Sequence, residues 1–579
     1  MTGDPSADRL VPVRLWAPLA HSAFAVVGDE RLAMRPETGG YWTISLPAGT
    51  DYLLAIDDQQ ARPDPRSAWQ PYGVDGPSRV FDTSAFAWSD PEWAGHDVIG
   101  SVFYELHVGT FTPQGTLDSA IDKLDYLKKL GIQTIELMPV VPFPGDRGWG
   151  YDGVDLYAVH QAYGGPEALQ RFVDAAHAHD LAVCLDVVYN HFGPAGNYAP
   201  VFAPYFTDKH DTPWGSAINL DDDHADGVRD FICENAIRWL REFHMDALRL
   251  DAVHALADDS PQHILAELSE RVDAIRAGLG RPVALIAESD LNQPTMIEPR
   301  SAGGLGIDAQ WADDVHHALH SYLTDETFGY YVDFGPASVL RQALERVFVH
   351  DGSYSTFRGK RWGAPVPPDI DHRRFVAFTQ NHDQVGNRGM GDRPDVKLPA
   401  GAVAGGAALL LLSPFTPLLF QGQEWGTKRP FQFFTDHDAE LGEAVTEGRL
   451  SEFEGHDWEA IYGPDPKIPD PQALSTFENS KLDWPEIDDP DHARMLAWYR
   501  RLIELRHELF PTGGGQVQAD FGDDWFRMVH GPVTVIICPG PRPVTLGEPR
   551  GTLAAQWGEV HVTDETVQLP AHSVAVLID

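Results

Sequence analysis

The chain has 579 residues, more than one compact domain of roughly 100–200 residues holds, so several domains or one oversized barrel are expected. With 43% hydrophobic and 22% charged residues it can bury a large core, which excludes a mainly disordered, collagen-like or low-complexity chain. Its 86 Asp+Glu against 43 Lys+Arg give a formal charge of −43, a field that repels phosphate backbones and anionic lipid, so neither nucleic acid nor membrane is expected as a partner.

Cys184, Cys233 and Cys538 stand far apart with no CxxC pair, which predicts core thiols rather than a disulfide framework or zinc knuckle. Residues 1–10 lack the basic-then-apolar pattern of a signal peptide, so a cytoplasmic protein is expected. The longest apolar run, 402–412, ends at Ser413-Pro414 and falls short of the roughly 20 residues of a spanning helix. It reads as a buried helix.

Residues 1–95 carry short alternating runs such as Val13-Arg14-Leu15-Trp16 and Tyr41-Trp42-Thr43-Ile44-Ser45-Leu46 between Gly- and Pro-bearing turns. They predict an N-terminal β-sandwich of immunoglobulin-like, carbohydrate-binding-module-like character. From residue 96 to 508, strand-like runs alternate with amphipathic stretches, the pattern of parallel strands and crossover helices. The strand candidates are 102–106, 134–138, 182–188, 247–250, 283–287, 307–311, 375–379 and 417–421, the eight that a (β/α)8 TIM barrel needs. Ile121, Leu124, Leu127 and Leu130 form one apolar stripe and predict a helix over 119–130, ended by Gly131. Long connections follow the third strand, precede the seventh and follow the eighth; loops of such length inside a compact domain are usually functional. A small antiparallel β-domain is expected over 509–579, completing a multidomain chain.

Catalytic side chains of a barrel project from the C-terminal ends of its strands. There lie Asp186 to His191, Arg249 and Asp251, Glu288, and Asn381-His382-Asp383. Alternation within Ala247-Leu248-Arg249-Leu250-Asp251 puts Arg249 and Asp251 on one face. They fit a structural ion pair, since buried charges need partners. They also fit a nucleophile, because a neighbouring guanidinium favours the ionised form of a carboxyl. Glu288 follows apolar Leu285-Ile286-Ala287, where weak hydration favours a protonated acid. Two carboxyls with separated proton affinities make a nucleophile and acid pair, the parts a retaining glycosidase needs. Asp383, across the barrel, is placed to favour a positively charged, flattened sugar.

Four segments occur in order: DVVYNH (186–191), ALRLDAVH (247–254), ALIAESD (284–290) and FTQNHDQ (378–384). Through them the chain resembles the α-amylase-type glycoside hydrolase family. The resemblance implies Asp251 as nucleophile, Glu288 as general acid/base and Asp383 as transition-state stabiliser. It implies sugar-binding or charge-positioning roles for Arg249, His191 and His382, with His254 closing the second segment, and a stacking role for Tyr151. RGWGYDGVDLYAV (147–159), YFTDKHDTPWGSAIN (205–219), DAQWADDVHHALH (308–320) and LLFQGQEW (418–425) narrow it to a subgroup that cuts the α-1,4 bond beside the terminal trehalose of maltooligosyl trehalose. That substrate implies a partner synthase. A glycogen branching or debranching enzyme of the same family is the alternative.

Further substrate contacts are expected from Trp214 in the polar loop 207–219, from Asp314 and His316 in the cluster with Asp313 and His317, from Arg358 beside Phe357, and from Glu424. Adjacent His316 and His317 face apart on a helix, and Asp221-Asp222-Asp223-His224 lacks the Gly and terminal Glu of a calcium loop. No metal or other cofactor is expected.

Overall fold

Eight parallel strands close into a barrel whose circular order follows the chain. They are β1 (Phe103–Leu106), β2 (Thr134–Leu137), β3 (Ala182–Val187), β4 (Ala247–Leu250), β5 (Ala284–Ala287), β6 (Ala309–Trp311), β7 (Phe375–Phe378) and β8 (Thr416–Phe420). Each falls within a predicted strand or overlaps it. The computed structural model describes residues 9–91, 93–212, 215–454, 459–463, 466–510, 515–547 and 549–579.

The period of two along each strand sorts the side chains. Phe103, Ala182, Ala247, Ile286, Trp311, Phe378 and Leu418 form the barrel interior, while Tyr104, Ile135, Leu185, Leu248 and Leu285 join the larger core shared with the helices. In-register pairing places Glu105 beside Glu136, Glu136 beside Cys184, and Asp186 beside Arg249. Polar side chains therefore crown an apolar interior. Trp93, Val98 and Ile99, from the segment leading into β1, join the interior cluster and close the floor of the barrel.

Two antiparallel sheets precede the barrel. Leu10–Trp16, Tyr41–Pro47 and Arg35–Pro36 form one; Glu30–Ala33, Ala23–Val27, Asp51–Ile56 and Ser78–Arg79 form the other. Val13, Leu15, Leu46, Ala25, Leu54 and Ile56 make their shared core, as expected of a sandwich. After the barrel's last helix, Pro490–Leu509, come a five-stranded and a three-stranded antiparallel sheet.

The apolar run is the helix Ala400–Leu411, buried nearly all round because the C-terminal sheet covers the side that barrel helices usually turn to water. No helix among the described residues is long and apolar enough to cross a membrane. The helix expected over 119–130 is two helices, Leu117–Ile121 and Leu124–Leu130, parted at Asp122-Lys123; Leu124, Leu127 and Leu130 are all buried, and Gly131 caps the second at φ 99°.

Candidate active site

At the C-terminal ends of the strands, polar side chains from several strands join in one hydrogen-bonded chain. Arg249 stands at its centre, with no side-chain exposure. Its Nη1 donates to both Asp186 oxygens at 3.0 and 2.9 Å and to Asp251 Oδ1 at 2.6 Å, and its Nη2 lies 3.7 Å from Glu288 Oε2. The guanidinium also covers the Trp311 ring at 4.4 Å. Asn190 Nδ2 donates to Asp251 Oδ2 at 2.8 Å, so the carboxylate is held from two sides.

Glu288, one residue past β5, accepts from the Ala252 N–H at 2.6 Å. Burial pushes its pKa up to about 8; Arg249 opposes that shift, while the Asp251, Asp313 and Asp383 carboxyls add to it. Asp383 opens the short helix after β7 and is the most exposed of the three carboxyls, with its Oδ2 3.5 Å from His382 Nε2. His382 is buried, which disfavours its charge, yet Asp383 and Glu105 outweigh burial and raise its pKa to about 9. The Tyr151 hydroxyl lies 2.6 Å from Asp186 Oδ2 and 2.7 Å from His382 Nε2, and its ring stacks on the His382 ring. His191 reaches the Tyr151 carbonyl at 2.7 Å and bonds to Asn190. Chemically, the arrangement offers a carboxylate held by a guanidinium, an acid protonated at neutral pH and a third, more open carboxyl.

An alpha-amylase catalytic-domain model matches residues 79–202. A malto-oligosyltrehalose trehalohydrolase of Arthrobacter ramosus is 49% identical, over 98% of this chain and 99% of its own length. One of Rhizobium sp. strain M-11 is 48% identical, over 98% and 97%. The chain belongs to the malto-oligosyltrehalose trehalohydrolase family. A crystal structure of a Salmonella typhimurium protein superposes with a TM-score of 0.89 at 37% identity, over 99% of this chain and 98% of that one.

Outside the carboxylate cluster, the substrate contacts expected of this trehalohydrolase-family chain divide. Arg358 stands on the hairpin Tyr354–Ser355 and Lys360–Arg361, pairs with Asp290 at 3.1 Å and lies 4.9 Å from the Trp362 ring centre. His254 is exposed on the short helix Val253–Ala255 that follows Asp251. Trp214 lies outside the described residues.

Three expectations are corrected. Asp314 is 4% exposed and its Oδ2 accepts from Val349 N–H, His350 N–H and Asn292 Nδ2, so it anchors the 349–350 backbone instead of facing the cleft. His316 has no exposure and packs among Phe378, His317 and His320. Glu424 is fully buried behind the barrel wall, where Tyr104 and Tyr126 hydroxyls hold one oxygen. Asp313, beside Asp314, is half-buried and faces the site: burial, with Asp383 adding to it, raises its pKa to about 7. Sequence reasoning also missed Glu105 and gave Asn190 no role toward Asp251. A charge inside the apolar run Phe103-Tyr104-Glu105-Leu106 was the available signal for Glu105.

In the connections that follow β3 and β4, His210, Asp221 and Asp259 bring possible ligand atoms within 4.8 Å of one another. The Lys209 ammonium, 2.7 Å from Asp221, already supplies the positive charge there.

Proposed function

We propose that this chain is a retaining glycosidase that cleaves the α-1,4 bond next to the terminal trehalose of maltooligosyl trehalose and releases free trehalose. The observation that carries the chemistry is the meeting of Asp251 and Glu288 at one guanidinium, with a proton held on Glu288. Asp251 attacks the anomeric carbon while Glu288 protonates the departing oxygen. Glu288, then ionised, takes a proton from water, which releases the sugar from Asp251. Asp383 stabilises the positive charge that develops on the ring. Tyr151, His191, His382 and Arg249 surround the cleaved sugar, and Arg358, paired with Asp290, is a further substrate contact. The near full-length identity with two trehalohydrolases supports the choice of substrate. A synthase that builds the trehalose terminus is the functional partner, and buried, unpaired Cys184, Cys233 and Cys538 suit a reducing cytoplasm.

The test compares products from maltotriosyl trehalose and maltopentaose, which have equal numbers of glucose units. Fast release of trehalose from the first supports the reading. Equal cleavage of both makes the protein a general α-glucan hydrolase, and new α-1,6 branches make it a branching enzyme.

A further inference from the structure

Glu105 lies in β1, below the carboxylates, and is 1% exposed. Both of its oxygens serve one residue. Oε2 accepts from the His382 backbone N–H at 2.9 Å, and Oε1 accepts from His382 Nδ1–H at 2.5 Å. The imidazole is further fixed by stacking on Tyr151 and by the edge-on ring of Trp149.

The other ring nitrogen decides what this grip does. The Tyr151 hydroxyl has one proton and two neighbours, Asp186 Oδ2 and His382 Nε2. An ionised Asp186 only accepts, so Tyr151 donates to it. His382 Nε2 must then donate to Tyr151, and with Nδ1–H bound to Glu105 the ring carries both protons. The hydrogen bonds thus run one way, from His382 to Tyr151 to Asp186, which also accepts from Arg249, and Arg249 donates separately to Asp251. Glu105 and Asp383 favour the charge on His382; Arg249 opposes it, and Asp186, Glu136 and His107 also face the ring.

We propose that Glu105 is a positioning residue for the hydrolysis: without touching substrate, it fixes the His382 ring and keeps it an imidazolium, so that Nε2–H is always a donor beside Asp383. This rests on the hydrolytic reading above. A neutral His382 that keeps its proton on Nδ1 leaves Tyr151 to choose between two acceptors, and either neutral tautomer removes a positive charge from beside Asp383.

The test is the pH profile of kcat/KM for Glu105→Gln against the wild type on maltotriosyl trehalose. The amide keeps the shape and removes the charge. The His382 pKa, near 9, is expected to fall by roughly 1–3 units, the shift produced by one adjacent charge, so the alkaline limb, set by Glu288 near 8 in the wild type, moves to lower pH once the imidazole titrates first. Loss of a nearby cation raises the proton affinity of Glu288, so a limb still set by Glu288 cannot move that way. A uniform drop in rate with an unmoved limb overturns the proposal. Glu105→Asp, read in parallel, keeps the charge and is expected to leave the limb in place at lower kcat; a displaced limb there also overturns it. In a His382→Gln background, Glu105→Gln should add no displacement, and an additive shift excludes action through His382. If the wild type cleaves maltopentaose but not maltotriosyl trehalose, the substrate reading fails and the same profiles are taken on maltopentaose.

Discussion

Arg249 holds the two carboxyls of the site unevenly, because one guanidinium nitrogen bonds Asp251 directly while the other stands 3.7 Å from Glu288. Replacing Asp251 by Ala should abolish turnover while circular dichroism and melting stay near wild type; wild-type rates would remove it as the nucleophile. Glu288→Gln should cost roughly 10²–10⁴-fold on natural substrates and far less on an activated glycosyl fluoride, whose leaving group needs no proton. A carboxyl with pKa about 8 stays protonated through neutrality, so activity should hold to that pH and fall as the pH rises through it. An alkaline limb near 4.5, the ordinary glutamic acid value, would contradict the acid role. Arg249 and Asp251 were legible in the sequence because charges inside a strand demand partners. Asp314 and His316 were not, since neighbours on a helix point about 100° apart and only packing decides which one faces the cleft. Glu424 follows Gly422 at φ 80°, a left-handed turn that sends the side chain behind the wall.

Short elements hold the cleft in place, and their anchors are testable separately from the chemistry. Asp314 satisfies three donors from two other segments, so Asp314→Ala should destabilise by roughly 1–3 kcal/mol for each donor left orphaned in the interior. Urea midpoints measure this. Asp313→Asn should leave the midpoint unchanged and alter kcat/KM; equal stability losses in both would mean that Asp313 is structural too. The helix Ala400–Leu411 shows a different constraint. A Cβ on Gly401 would stand 1.7 Å from the His572 carbonyl, so Gly401→Ala must part helix from sheet, with an expected cost of about 1–3 kcal/mol in thermal or urea unfolding. The sequence announced this helix by its apolar run and gave no sign of the sheet upon it, because long-range packing leaves no periodic trace. The strands were legible for the opposite reason: each is a short apolar run bounded by turns, and eight in alternation with helices permit few topologies.

At the scale of the whole molecule, the segment before β1 joins the sandwich to the barrel through buried charges. The His177 ring lies between Asp90 and Asp246 at 2.7 and 2.9 Å, with Trp93 stacked on it and donating to Asp246. His244 also bonds Asp90 and stacks on Trp88. Burial disfavours the His177 charge, but its two carboxylate partners raise the pKa above the ordinary 6.5. Burial likewise opposes ionisation of Asp90, and hydrogen bonds from His177 and His244 hold its pKa down at about 2. By linkage, the His177 contribution is full below 6.5 and is lost as the pH rises through the raised value. The Asp90 contribution is full above 3.8 and is lost as the pH falls through about 2. Stability from this seam should therefore peak in the mildly acidic range, and His177→Gln should flatten urea midpoints measured from pH 4 to 9; an unchanged slope would show that the seam does not titrate. The same segment is also the barrel's floor, since Trp93, Val98 and Ile99 fill the bottom of its interior. A polypeptide cut cleanly between sandwich and first strand would leave the barrel open underneath. The joining segment is thus not an interchangeable linker: whatever replaced it would have to bring its own stopper.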